Sequence, residues 1–214
     1  MFNGIKDSIT RNFLELKLWV SNIPTEQPET DNTIITKGLF FVYAYGLYEE
    51  IVRSVVRETI SELNKANVNI ENCVFDLYSM ILSHEYDALF EVGNTKKWEK
   101  RWDISRRLKD NPVMNIDVTL MPTDGRNIRY KQLESIAKTF GLQESVLPRS
   151  EVGGYLKELV DNRNDIAHGN QLPREIGRKY TKEDLLKRCE YISEICEYVC
   201  GIYETYIQEK KYLR

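Results

Sequence analysis

The spacing of apolar side chains along the chain is helical nearly throughout. A first amphipathic helix is predicted over about residues 5–20, and the stretch 21–30, which contains two prolines, ends it. A second helix is predicted to begin near Asp31, a favourable N-cap residue, and to extend to about Lys65. Because residues 39–48 are apolar on every side, we expect this helix to be the central and most buried one.

The rest of the chain continues the helical pattern, with one irregular region. Further helices are predicted over about residues 70–92, 128–140, from Ser150 to Gly169, and from Thr181 onward, where Thr181 and Asp184 have the spacing of a capping box. Residues 96–109 form a strongly basic segment. Residues 113–120 fit either a short strand or an extended loop, and a polar loop is expected from Pro173 to Tyr180. The sequence therefore predicts an all-α bundle that forms one domain over residues 1–214, with residues 93–127 as a basic, irregular insertion.

Composition and charge narrow the classes of function. The formal net charge of −3 excludes a globally basic coat for nucleic acids but is compatible with a local basic patch. The longest uncharged stretch of the most apolar region, residues 38–48, is too short to span a bilayer. Charges follow directly after the N-terminus, unlike in a signal peptide. We therefore expect a cytoplasmic protein that does not enter the membrane.

The cysteine pattern is not that of a metal site. Cys189, Cys196 and Cys200 share one side of the last predicted helix, and Cys73 stands alone. There is no C-x-x-C pair, and the chain has only 2 histidines. We expect four buried free thiols, and neither a metal nor another cofactor.

The stretch from Arg163 to Asn170 carries the clearest candidate chemistry. Asn164 and His168 are four residues apart and share a helix face, and the long side chain of Arg163 can reach the same patch. A guanidinium suits a phosphate oxyanion, and a histidine suits proton transfer near neutral pH. From the residues alone, a single histidine at a helix end is more often a structural cap or a surface residue than a catalytic group, and this interpretation of His168 is favoured.

The sequence Arg163-Asn164-x-x-x-His168 resembles the R-φ-x-x-x-H signature of the HEPN superfamily (higher eukaryotes and prokaryotes nucleotide-binding domains). Three further segments are similar to the bacterial MAE-type HEPN families, namely residues 45–53, 125–137 and 177–185. The likeness covers residues 31–64 and 125–214, whereas residues 66–124 resemble nothing specific.

This resemblance implies a four-to-five-helix bundle that dimerises around the Arg-x-x-x-x-His motif and cleaves RNA without a metal ion. Arg163 and His168 would be the catalytic pair, and Asn164 would support them. The products would carry a 2′,3′-cyclic phosphate and a 5′-hydroxyl. The resemblance also implies a toxin with a cognate antitoxin, or an effector of phage defence. One chain supplies one motif histidine, so a homodimer would be needed to provide both an acid and a base.

Two side features leave alternatives open. Glu49 either pairs with Arg53, at the favourable i, i+4 spacing, or contacts Arg163 and fixes its rotamer. A basic segment contains Lys97, Lys100, Arg101, Arg106 and Arg107 around Trp98 and Trp102. Its cations and indoles suit single-stranded RNA, but the same spacing fits a helix whose two tryptophans dock onto the bundle, and we favour this docking.

Two other classes of function compete with the ribonuclease. One is a non-catalytic HEPN module that binds a nucleotide or RNA, or that holds a partner protein. The other is a plain helical interaction protein, in which the last helix pairs with a different chain. The intact Arg163, Asn164 and His168 favour the nuclease over the non-catalytic module, and the oligomeric state distinguishes the nuclease from the interaction protein, because a monomer could not assemble two motifs.

Overall fold

Nine α-helices make up the regular secondary structure of residues 2–214, the part of the chain that the computed structural model describes. They are α1 (Asn3–Ser21), α2 (Asp31–Lys65), α3 (Tyr78–Ile81), α4 (Ser83–Glu91), α5 (Lys97–Asp110), α6 (Tyr130–Thr139), α7 (Val152–Ala167), α8 (Pro173–Gly177) and α9 (Lys182–Gln208). The described residues form no strand, only two isolated bridges. The prediction of an all-α fold is confirmed.

Helix α2 is the centre of the bundle, and α1, α7, α8 and α9 pack around it. Its inward side chains include Phe40, Phe41 and Tyr48, all of them buried. The expectation that this helix is the central one is confirmed, although Leu39, Val42 and Tyr43 are each about two-fifths exposed. The Tyr43 ring packs edge to face against Trp19 of α1, with the ring centroids 6.0 Å apart.

Capping residues explain where the long helices begin. The hydroxyl of Thr30, rather than the predicted Asp31, accepts a hydrogen bond from the Thr33 N–H and caps α2. Thr181 and Asp184 cap each other's backbone at the start of α9, as the sequence predicts. Asp31 instead lies in the first turn of α2, where its charge suits the positive end of the helix dipole.

The predicted helix over residues 70–92 is broken into short pieces. Two 3-10 turns, Ile70–Asn72 and Phe75–Leu77, precede α3 and α4. The cause is long-range hydrogen bonding: the Ile70 N–H donates to the Pro112 carbonyl and the Val74 N–H to the Tyr212 carbonyl. Backbone groups used in this way cannot form a continuous helix.

Residues 113–120 form an extended loop rather than a strand. The side chain of Asn64 holds this loop by bonding both the N–H and the carbonyl of Ile116, each at 2.8 Å. The loop leads from the hairpin formed by α4 and α5 back to the bundle and to α6. It therefore sets where the basic part of the chain joins the core.

The predicted polar loop from Pro173 to Tyr180 contains the short helix α8, which docks tightly on α2. A Cβ atom on Gly38 would lie 1.9 Å from the Pro173 carbonyl oxygen, and one on Gly177 would lie 1.9 Å from that of Ile34. Only glycine permits this approach. Helix α8 therefore packs on α2 a few residues after the Arg163–His168 segment at the end of α7.

A buried lysine stabilises the same corner of the bundle. The Lys37 ammonium, only 3% exposed, donates to both carboxylate oxygens of Glu29 and to the Tyr180 carbonyl at 2.7–2.8 Å. All three of its donors are therefore used, which offsets the cost of burying the charge.

All four cysteines are buried free thiols, as expected. Burial raises the pKa of Cys189 to about 12 and also raises those of Cys196 and Cys200, so these three thiols stay protonated near neutral pH. None of the helices in residues 2–214 is both long enough and apolar enough to cross a membrane.

Candidate active site

The end of α7 is defined by a backbone motif around Gly169. Gly169 has a φ of +71°, its N–H donates to the Ile166 carbonyl, and the Asn170 N–H donates to the Asp165 carbonyl at 2.8 Å. This is a Schellman motif, in which a residue in the left-handed conformation closes a helix. It makes His168 the C-cap residue and leaves its side chain exposed. The imidazole forms no hydrogen bond or ion pair with residues 2–214.

Arg163, in contrast, lies against the central helix. Its guanidinium carbon is 4.9 Å from the centroid of the Tyr45 ring, and its Nη1 donates to Oδ1 of Asn164 at 3.1 Å. A cation over the face of a tyrosine is attracted by the ring quadrupole. Because Tyr45 is only 1% exposed, the ring is a fixed support. The remaining N–H donors of the guanidinium are available to a ligand.

Tyr45 also holds the segment that precedes α6. Its hydroxyl oxygen accepts a hydrogen bond from the Ile128 N–H at 3.1 Å. Burial raises the pKa of Tyr45 and the negative charge of Glu49 adds to this, while the Ile128 N–H and the positive charge of Arg163 oppose it. The phenol is therefore neutral at physiological pH and remains a hydrogen-bonding group.

Asn164 joins Arg163 to the loop before α6. Its Oδ1 accepts hydrogen bonds from Nδ2 of Asn127 at 2.7 Å and from Nη1 of Arg163 at 3.1 Å. Sequence reasoning missed Asn127. It lies 37 residues before Asn164, and only its place within the HEPN-like segment 125–137 pointed to that region.

Glu49 forms the i, i+4 ion pair with Arg53 rather than a contact with Arg163. The Oε1 atom of Glu49 accepts from Nε and Nη2 of Arg53 at 3.2 and 2.9 Å. The α2 side chain that contacts Arg163 is instead Tyr45, one turn before Glu49. Glu49 affects the site through Tyr45, whose pKa the negative charge of Glu49 helps to raise.

A second network holds α7 against α9. The buried Asn162 donates to the Tyr180 hydroxyl, which donates to Glu158, and Glu158 accepts two bonds from Arg188 of α9 at 2.6 and 2.9 Å. Burial, together with Glu158, raises the pKa of Tyr180 to about 12 against the opposing effect of Asn162. Because Asn162 precedes Arg163, this network sets the rotation of α7 that points Arg163 at Tyr45.

The comparison with protein families decides the assignment. A family model described as RiboL-PSP-HEPN matches residues 7–208. The chain belongs to this family. The match extends over the motif at the end of α7 and over the basic hairpin, and it confirms the HEPN resemblance read from the sequence. Comparisons with curated proteins and with solved structures found no match.

Membership in the RiboL-PSP-HEPN family assigns an RNA-related module to the chain. In this HEPN protein Arg163 and Asn164 contact each other near the end of α7, with Arg163 over Tyr45 of α2, and His168 is the exposed C-cap residue of the same helix. Within residues 2–214, no group of three or more His, Cys, Asp or Glu is arranged to hold a metal ion.

The other candidate residues of the HEPN protein lie on α5, which packs against α4. The expectation that Trp98 and Trp102 dock onto the bundle is wrong, because each is 61% exposed. Ile104 is the side chain of α5 that packs against the core, so the two indoles face solvent. Phe90, at the end of α4, is 88% exposed.

The cations of α5 outnumber the carboxylates that pair with them. Lys100 and Arg106 share one carboxylate, that of Asp103, at 3.7 and 3.3 Å. Arg107 pairs with Glu85 of α4, and Arg101 lies over the Trp98 ring at 4.8 Å. Lys97 is half-buried at the start of the helix. The hairpin therefore presents cations and aromatic rings on one exposed element.

Proposed function

We propose that this HEPN protein is a metal-independent endoribonuclease that acts as a homodimer through Arg163 and His168. The observation that carries the proposal is the contrast at the end of α7. Arg163 is held in place by Tyr45 and Asn164, whereas His168 is exposed and has no partner among residues 2–214. A fixed cation beside a free imidazole suits the charge stabilisation and proton transfer that RNA cleavage requires.

The reaction is a transesterification within the RNA chain. The 2′-oxygen attacks the adjacent phosphorus, the O2′–P bond forms and the P–O5′ bond breaks. One imidazole accepts the proton of the 2′-hydroxyl, and one imidazolium donates a proton to the leaving 5′-oxygen. The products are a 2′,3′-cyclic phosphate and a 5′-hydroxyl. Because the nucleophile is the 2′-hydroxyl, DNA is not a substrate.

Two copies of the chain are needed for this proton balance. Each chain contributes one motif histidine, and a two-fold axis near the ends of the two α7 helices brings His168 of one protomer and His168 of the partner subunit to the same phosphate. One then serves as base and the other as acid. These two histidines make the reaction possible without a metal ion.

Arg163 stabilises the negative charge that develops on the non-bridging phosphate oxygens. Asn164 supports it by accepting one of its N–H groups, and Asn127 holds Asn164 in turn. Glu49 contributes through its charge on Tyr45. In this arrangement the guanidinium is positioned before RNA binds, which avoids a cost of reorganisation during the reaction.

The exposed hairpin is the second part of the proposal. We expect Lys97, Lys100, Arg101, Arg106 and Arg107 to bind RNA phosphates while Trp98 and Trp102 stack on bases. For the cellular role we propose a toxin or an effector of phage defence, restrained by a cognate antitoxin. Growth arrest on induced expression of the wild type, but not of His168→Ala, would support this role, and equal growth of both would contradict it.

The direct test is cleavage of bulk RNA in EDTA, with the chemistry of the product ends mapped. The wild type is compared with His168→Ala and Arg163→Ala, and His84→Ala serves as the matched control because His84 is the other histidine of the chain and lies outside the site. We expect cyclic-phosphate ends from the wild type and from His84→Ala, and a loss of about a hundredfold or more from His168→Ala.

The other outcomes of this test are equally informative. Equal cleavage by the wild type and His168→Ala would contradict the proposal and indicate a contaminating nuclease. No cleavage by any form, from a folded dimer, would favour a non-catalytic HEPN module that binds RNA, a nucleotide or a partner protein. A folded monomer would favour a helical interaction protein.

A further inference from the structure

A basic groove with a volume of about 640 Å³ lies next to the start of α6 and the first turns of α7. Four cations line it, Arg129, Lys131, Arg149 and Lys157. Tyr130 and Leu147 contribute apolar surface between them. The groove is open to solvent and is separate from both the hairpin and the motif residues.

The charge balance of the groove is positive although that of the whole chain is negative. No carboxylate lines it, and two carboxylates outside its lining pair with three of its cations. Asp161 binds Arg129 at 2.6 Å and Lys157 at 2.7 Å, and Glu194 binds Arg149 at 2.6 Å. Lys131 has no carboxylate within ion-pair distance in the part of the chain that the structure describes.

The groove is aligned with the motif along one face of α7. Lys157, Asp161, Asn164 and His168 follow each other at spacings of four, three and four residues, which places them on a single stripe. From Lys157 to His168 the helical rise amounts to about 16 Å at about 1.5 Å per residue. A few nucleotides of a single strand can span this distance.

We propose that this groove binds the backbone of single-stranded RNA as it runs along α7 to Arg163 and His168. The inference rests on the proposed ribonuclease function, and it adds a substrate-binding subsite to it. The cations bind the phosphates, and the ring of Tyr130, 44% exposed at the edge of the groove, stacks on a base.

Charge complementarity favours RNA as the occupant. Three of the four cations are anchored by ion pairs to Asp161 and Glu194, so their positions are set before a ligand binds. The excess of positive charge lies beside a mainly apolar floor, which matches the alternation of phosphate and base in a single strand. Because Lys157 of the groove and His168 lie on the same face of α7, an RNA strand bound in the groove is directed towards His168.

The test measures binding without cleavage. In the His168→Ala background, the affinity for a fluorescein-labelled single-stranded RNA is measured by anisotropy at several salt concentrations. Lys131→Ala and the double variant Lys131→Ala/Lys157→Ala are compared with Lys138→Ala. Lys138 lies on the same face of α6, two turns further on and outside the groove, so its substitution is the matched control.

We expect the double variant to bind about tenfold more weakly and the salt dependence to fall by about one unit of slope for each cation removed. Lys138→Ala should bind as the parent does. Equal affinity of all three variants would overturn the inference, as would a lack of RNA binding by the parent. The inference would also be overturned if 5′-AMP competed with the labelled RNA as strongly as unlabelled RNA does at the same phosphate concentration. That result would indicate a pocket for a free nucleotide.

Cleavage assays separate this inference from the proposed function. A protein that binds RNA through the groove but cuts none supports the groove and contradicts the nuclease. A protein whose double variant cuts RNA with the KM of the wild type supports the nuclease and overturns the groove. Thermal melting of each variant confirms that the fold is intact.

Discussion

The guanidinium of Arg163 lies 4.9 Å from the centroid of the Tyr45 ring, so α7 meets the central helix α2 at the residue on which the proposed chemistry depends. The same tyrosine accepts a hydrogen bond from the Ile128 N–H and thereby holds the loop that carries Asn127. The buried Tyr45 side chain thus supports Arg163 directly, and it also holds the loop whose Asn127 bonds Asn164.

Replacing Tyr45 separates its two roles. Tyr45→Leu removes the ring under the guanidinium, and we expect kcat to fall by about three- to thirtyfold, as for the loss of a cation–π contact. Tyr45→Phe keeps the ring but leaves the Ile128 N–H unpaired. It should lower the free energy of unfolding by about 1–3 kcal/mol while kcat falls less than in Tyr45→Leu. Kinetics and urea unfolding of both variants measure this, and a wild-type kcat in Tyr45→Leu would refute it.

Asn127 is predicted to be a positioning residue. Asn127→Ala removes the 2.7 Å hydrogen bond to Asn164, and we expect kcat to fall by about three- to tenfold with KM little changed. The matched control is Asn12→Ala on α1, where the amide also donates one side-chain hydrogen bond, to Ser8. A similar loss of kcat in both variants would show that the effect of Asn127→Ala is on general stability.

The turn at Gly169 gives a prediction about stability and activity together. A Cβ at position 169 meets no atom within 4 Å, so Gly169→Ala costs only the strain of a positive φ, about 1 kcal/mol, and it should shift His168 and lower kcat. Gly154→Ala, inside the same helix and equally open, should instead raise the free energy of unfolding by about 0.5–1 kcal/mol. Denaturant unfolding distinguishes the two, and equal shifts would contradict the account.

The exposed indoles of the hairpin should affect RNA binding and not folding. We expect Trp98→Ala and Trp102→Ala each to weaken binding of single-stranded RNA by about fivefold or more, with an unchanged Tm, because each side chain is 61% exposed. Phe75→Ala is the control, since Phe75 is 67% exposed but lies outside the hairpin. A drop in Tm without an effect on binding would indicate a packing role.

The long helices could be predicted because their amphipathic periods are long and their caps are local. Helix α2 begins at Asp31 and ends at Lys65, as predicted from apolar spacing. The Thr181–Asp184 cap of α9 was likewise visible in the sequence. The motif at the end of α7 was found because its three residues lie within six positions of each other.

Features that depend on distant contacts could not be predicted in this way. The region after residue 70 breaks because Val74 bonds to the carbonyl of Tyr212, which no local period reveals. Helix α8 has only 5 residues, too few to show a period. The spacing of Trp98 and Trp102 fits a packed face and an exposed one equally, and only the position of α5 on α4 decides between them.

The central claim is that two copies of α7 form one ribonuclease site, with His168 from each. The most direct measurement mixes wild-type and His168→Ala chains at equal amounts, allows the subunits to exchange, and follows RNA cleavage in EDTA. Random pairing leaves about one quarter of the dimers with both histidines, so we predict about one quarter of the activity of the same total amount of wild type. About one half, the result for chains that act independently, would contradict the claim.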